Sequence, residues 1–186
     1  MTRARTIANF GDGIATADIG DGQITTAKIA SDAITDALLP AGSVLQVVQQ
    51  TYSTQTGGLT TSFSDTGLSA SITPSSTSSK ILVLVSQSHY MARQTNVTVL
   101  LYARLLRDST VVFSHDRCMG LNAGTAANGY IEMYTANNIS HLDSPSTTSS
   151  VTYKTQVSLQ TTNNDAQGSN QPNNQPSTIT LIEIAG

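Results

Sequence analysis

Three histidines, His89, His115 and His141, and one cysteine, Cys118, are the side chains of this sequence best suited to metal or nucleophile chemistry. Metal sites recruit such groups at short spacings, as in CxxC or HxxxH pairs. None of the four stands in that relation, and the histidines read as belonging to three separate turn regions. The run His115-Asp116-Arg117-Cys118 sets an imidazole and a thiol close together, yet catalytic Cys and His residues meet in space and are seldom near neighbours in sequence. It reads as an exposed or subunit-facing loop, with Cys118 a buried small hydrophobe.

Glycoside cleavage, the other chemistry to weigh, needs two carboxyl groups facing each other across a saccharide groove. From residue 41 onward the acids are Asp65, Asp108, Asp116, Glu132, Asp143, Asp165 and Glu183. Glu183 falls in a strand apolar on both sides, where a carboxylate must be paired, with Lys80 or Arg104 as candidates, or protonated. That is a structural pair rather than an acid catalyst. A glycine-rich phosphate cradle is absent too. The expectation is a chain that is not an enzyme and has no catalytic residue, no metal and no cofactor.

The charges narrow the partners. Net charge is -3, and the basic residues are scattered from Arg3 to Lys154, so no face could neutralise a nucleic-acid backbone. No segment approaches the roughly 20 apolar residues of a membrane span. Arg3 and Arg5 lack the apolar run of a secretory signal, and a single cysteine excludes an internal disulfide. Folding in a cytoplasm is expected.

The elements that must position any site follow from patterning. Hydrophobic residues make up 38% and charged residues 11%, against about 25% charged in average soluble chains. Ser, Thr, Asn, Gln and Gly supply the polarity, as in surface β-sheets and their turns. Between residues 14 and 39 an apolar side chain returns every fifth position: Ile14, Ile19, Ile24, Ile29, Ile34 and Leu39. On an α-helix a step of five advances about 500°, so these residues would circle the rod without making a stripe. In an extended strand they alternate between faces, leaving a ribbon greasy on both sides. Several copies wound about one axis shelter such a ribbon better than a solenoid, which needs at least about three stacked repeats. A flexible linker with accidental periodicity is the bland alternative. Gly11-Asp12-Gly13 and Gly20-Asp21-Gly22 would supply bends.

After Pro40-Ala41-Gly42 the pattern changes to short β-strands and polar turns, so residues 1–40 read as one segment and 41–186 as a head domain. Leu68, Ala70 and Ile72 alternate, as do Val151 and Tyr153, with Val157 and Leu159 resuming that face. Ile81 to Val85, Val97 to Leu106 and Ile179 to Ile184 are apolar on both faces, as if covered a second time by a neighbouring subunit. Further strands are expected near 43–52, 110–115, 129–135 and 138–142, about nine in all. An antiparallel jelly-roll sandwich is the expected architecture, with an open barrel or immunoglobulin-like sandwich as competitor.

The run from Ile19 through Gly20-Asp21-Gly22-Gln23-Ile24 to Ile29 and Ile34 resembles the pentad repeats of bacteriophage tail fibres and related virion proteins. Phe63 to Leu68, Ile72 to Val83, Asp143 to Thr148, Thr152 to Gln156 and Ile179 to Gly186 resemble their C-terminal domains. The resemblance covers about four fifths of the chain and implies a virion protein made in a bacterial cytoplasm. It implies a homotrimer: a short fibre whose all-β, tumour-necrosis-factor-like jelly-roll head follows an extended, intertwined N-terminal stalk. Partners are then other virion proteins, of tail, baseplate or capsid, through the N-terminal segment, and a host surface glycan or protein through the head. A capsid decoration or connector protein binding only virion proteins is the alternative, and a saccharide-degrading depolymerase a more distant one.

In such a head, loops near 53–61, 87–96, 114–128 and 162–176 would share the distal tip. Tyr90, Arg93, His115, Arg117, Asn164 and Asn170 are the candidate binding residues there. The amide-rich segment Thr161 to Ser177 is longer than most hairpin loops, and recognition tends to sit on long loops of a rigid scaffold.

Overall fold

The computed structural model describes residues 24–25, 38–94, 96–123, 130–161 and 166–186. The chain divides into two compact units, Met1–Leu39 and Pro40–Gly186. Of the pentad positions, Ile14, Ile19, Ile29 and Ile34 lie outside the described residues. Ile24 is 55% exposed in the single chain, and Leu39 is partly buried.

Among the described residues, the second unit is all-β apart from one turn of 3₁₀ helix at Pro172–Asn174. Its strands are β1 (Val44–Tyr52), β2 (Thr56–Gly57), β3 (Ser64–Ile72), β4 (Lys80–Arg93), β5 (Val99–Arg107), β6 (Thr110–Leu121), β7 (Ile131–Asp143), β8 (Val151–Thr161), β9 (Ala166–Asn170) and β10 (Ser177–Ile184). They form two sheets. In sheet I, β4 pairs along one edge with β7 and along the other with β10 and then β9, while β1 flanks β10 and β2 flanks β9. Strands β9 and β10 are thus one antiparallel track beside β4, interrupted at Gln171–Pro176. Sheet II has the order β3-β8-β5-β6.

The chain crosses between the sheets from β2 to β3, β3 to β4, β4 to β5, β6 to β7, β7 to β8 and β8 to β9, with β5–β6 a hairpin inside sheet II, a jelly-roll-like wrap. Strand alternation puts Leu68, Ala70 and Ile72 of β3 and Val151, Tyr153, Val157 and Leu159 of β8 inward, where all are buried. Gly67 marks the register shift between β3 and β8. Its φ is +86°, and a Cβ there would collide with the Tyr52 ring, so only glycine fits.

Two apolar clusters fill the space between the sheets. One gathers Leu68, Ile81, Val83, Leu105, Tyr153 and Leu181, among others; the other centres on Met91, Val99, Leu101, Val157 and Leu159. Along β4 the two are separated by Gln87 and His89, and along β8 by Thr155, all buried. A polar belt therefore crosses the middle of the sandwich, bonded in part by Thr66 Oγ1 to Thr155 Oγ1 at 2.6 Å.

The belt explains where the expected strands were too short. β7 is one strand, not two, because Asn137 points inward and is buried opposite Gln87 of β4 instead of making a turn. β4 likewise continues through Gln87 and His89 to Arg93, and β6 reaches Leu121. The histidines consequently sit in strands β4, β6 and β7, not in turns. The long polar segment after Thr161 contains β9 and the 3₁₀ turn.

Candidate binding faces

The buried titratable groups are held structurally. Asn170 donates through Nδ2 to Thr56 Oγ1 at 3.0 Å, which leaves its Oδ1 to accept from His89 Nδ1 at 2.9 Å. Burial pushes the His89 pKa down to about 4, the Asn170 contact opposing this only partly, so the ring is neutral at pH 7. His89 Nε2, Gln87 Nε2 and Gln171 Oε1 are buried without a protein partner. His115 and His141 both approach Phe113, at centroid distances of 6.1 and 5.7 Å. No group of three His, Cys, Asp or Glu able to hold a metal occurs among the described residues.

Asp143 ties three strands together, accepting from Arg107 Nη1 at 2.6 Å and from the Tyr153 hydroxyl at 2.7 Å. Glu183 pairs with neither Lys80 nor Arg104. Its carboxylate accepts from Gln46 Nε2 at 2.5 Å, Ser75 N–H at 2.6 Å and Ser75 Oγ at 3.2 Å. Burial raises its pKa, but these hydrogen bonds outweigh that and hold the carboxyl below the usual range. Alternation leaves Lys80 exposed, and Arg104 lies in sheet II, bound to Gln156 and stacked 4.0 Å over Phe63.

The run His115 to Cys118 is a bulge in β6, not a loop: the five residues His115 to Met119 of β6 lie opposite the three residues Leu101 to Ala103 of β5, and Arg117 takes φ +53°. Cys118 is only partly buried, its thiol donating to Leu101 O at 3.2 Å, and burial pushes its pKa up to about 11. This thiol is protonated at neutral pH and a poor nucleophile.

Of the six tip candidates, the five within the described residues are divided between the two sheets. Tyr90 and Arg93 on β4 and Asn170 on β9 share one ladder, whose pairs include His89 with Asn170 and Tyr90 with Ser169. Arg93 and Asn170 are buried, which corrects their expected place in exposed loops: strand pairing carries both inside. His115 and Arg117 belong to β6 of sheet II, the first partly buried and the second exposed. Asn164 lies outside the described residues.

What the structure brings together is a surface. On the outer side of sheet I, Val47 of β1, Ile182 of β10, Leu82 of β4 and Leu142 of β7 are successive cross-strand partners in one row. Val47 is 58% and Leu142 49% exposed, and Val44 and Leu84 extend the apolar area. Next to it, Leu84, Ser86, Asn138, Ser140, Thr178 and Thr180 line a groove of about 370 Å³. The sequence signal was apolarity on both faces; which side chains faced outward needed the register. Among the described residues of the head, nothing supplies the second covering expected for these strands. Among the described residues, no helix is long and apolar enough to cross a membrane.

No family model matches the chain, and no curated protein matches it. Among solved structures, a chain of the infectious bursal disease virus Gt strain is similar at a TM-score of 0.38 and 12% identity, over 77% of this chain and 39% of that one. The infectious bursal disease virus VP2 subviral particle gives a TM-score of 0.34 and 15% identity, over 76% and 37%. The chain thus spans about two fifths of the length of these structures.

Proposed function

We propose that this chain is a non-enzymatic structural protein of a bacteriophage particle, a short homotrimeric fibre whose sandwich head follows an intertwined N-terminal segment. One observation supports the reading: the apolar row across the outside of sheet I, which the described residues leave at least partly exposed. An exposed apolar patch of this kind marks an interaction site, and a second and third copy of the chain are the occupants that the pentad segment implies. Fully burying an exposed Leu, Ile or Val side chain contributes about 1.5–3 kcal/mol; Val47 and Leu142 are about half exposed and Leu82 and Ile182 already partly buried, so each adds a fraction of that in each copy. The mechanism is mechanical and adhesive, three heads offering three weak contacts together. The N-terminal segment joins the particle, and the head meets the host surface.

Light scattering on the full chain at micromolar concentration tests this. The expected mass is three times the 19.5 kDa of one chain. Leu82→Asp with Ile182→Asp is expected to lower it to one chain with β content retained, whereas Ser69→Asp with Thr152→Asp on sheet II leaves it unchanged. A well-folded wild-type monomer, or a double sheet I variant that keeps the assembled mass, overturns the reading.

A further inference from the structure

At the other end of the outer face of sheet I, eight residues and roughly 27 Å along β4 from Leu82, lies a second surface of different chemistry. Tyr90 of β4 is the cross-strand partner of Tyr134 of β7, their rings 4.9 Å apart and tilted by 45°. The Tyr130 hydroxyl donates to Glu132 Oε2 at 3.1 Å and so accepts from the Tyr90 hydroxyl at 2.6 Å. Tyr130 is 54% and Tyr134 51% exposed. Three of the six tyrosines of the chain thus form one platform, with hydroxyls locked in a relay that ends on a carboxylate.

Tyr90 also lines a groove of about 370 Å³, together with Gln55, Gly57, Gly58, Gln167 and Ser169. Gln55 is held in place by Asn173 N–H, which donates to its Oε1 at 3.1 Å. The glycines keep side-chain bulk off the rim. Tyrosine offers a rigid, amphipathic contact area at low entropic cost, and amides carry both donors and acceptors. Rings to stack on, beside amides to bond with, complement a molecule that has a C–H face and a rim of hydroxyls. Among the described residues of platform and groove there is no Lys or Arg, and the one charged group is Glu132. An acidic ligand would meet that carboxylate uncompensated.

We propose that this platform and groove bind a neutral saccharide chain, one pyranose stacking on Tyr134 and Tyr130 and its neighbour bonded by the Gln55 and Gln167 amides. The inference rests on the reading of the chain as a particle protein only for where the saccharide comes from, a cell surface.

The test titrates the full chain with neutral hexaoses of glucose, galactose, mannose and N-acetylglucosamine, and with a hexauronate, followed by calorimetry and tyrosine fluorescence. A saturable response to at least one neutral hexaose is expected, with the hexauronate weaker. An aromatic contact of this kind is worth up to about tenfold in affinity, so Tyr134→Ala is expected to weaken binding about tenfold while Tyr134→Phe retains it. No response to any neutral hexaose, a hexauronate bound equally well, or an unaffected Tyr134→Ala overturns the proposal, as does binding to protein surfaces alone. Assembly mass measured on the same samples separates the two readings. A trimer that binds no saccharide sinks this inference only, and a monomer that binds sinks only the fibre.

Discussion

The two sheets of the sandwich treat water in opposite ways. Outside sheet II, along β3 and β8, the side chains are polar and laced together: Ser71 with Thr152 at 2.8 Å, Lys154 with Asp65 at 2.9 Å, and Gln156 with both Asp65 and Arg104. Inside, β5 offers Val99, Leu101, Ala103 and Leu105, all buried and apolar. Sheet I reverses part of this. It turns Gln87, His89, Asn137, Asn170 and Glu183 inward and leaves Val47, Leu82, Ile182 and Leu142 on its outside. Among the described residues, β3 and β8 of sheet II thus present paired polar groups to the outside where sheet I presents an apolar row. The lesson is that an interior can tolerate polar groups that bond one another, whereas an apolar exterior calls for a partner.

Acid should break this symmetry most visibly. Unfolded, His89 takes up a proton near its ordinary pKa of 6.5; folded, it does so only near 4. Between those values the unfolded state binds more protons, so stability falls as pH falls, by about 3 kcal/mol between pH 7 and pH 4. Glu183, whose folded pKa is lowered, contributes stability above its ordinary range that is lost at still lower pH. Denaturant melts across this window should show the loss, and His89→Gln should flatten it between pH 6.5 and 4. A wild-type stability indifferent to pH there would remove the polar interior of sheet I from the argument.

The belt itself gives a smaller contrast. Thr155→Val removes the hydroxyl contact of buried Thr66, which keeps only the Leu68 N–H at 3.3 Å, and should cost about 1–2 kcal/mol, with Thr66→Val in the same chain restoring only part of it because Leu68 N–H then loses that acceptor. Gln87→Met, which removes an inward amide nitrogen lacking a protein partner, should be neutral or stabilising by up to about 1 kcal/mol. Thermal melts read both, and equal losses would mean that the two sides of the belt are alike.

The smallest effect is expected outside sheet II. Asp65→Asn removes an exposed ion pair with Lys154, and such pairs contribute about 0–1 kcal/mol. A larger loss in a urea titration would show the polar lacing to be a principal support of the fold.

Period-two apolar patterns made β3 and β8 legible in the residues, because side chains of a strand half buried alternate by geometry alone, and runs apolar on both faces did the same for the start of β4, for β5 and for β10. The same rule misread Asn137, His89 and Asn170. Polar residues signal turns only when water is their best partner, and here a facing amide or imidazole replaces water. Three histidines in separate turns thus became one buried ring and two that flank Phe113. Tyr130, Glu132 and Tyr134 stood in plain alternation, yet nothing local linked them to Tyr90, forty residues earlier.

By itself the sequence determined an all-β head, its main strands and the absence of any spaced metal or nucleophile motif, since these depend on neighbours within a few residues. Only the tertiary structure decided the pairing of β4 with β7, β9 and β10, and hence the polar belt, the apolar row and the tyrosine platform. The reason is register: a strand's own residues set which side chains share a face, but its partners set which face is sheltered and which meets water.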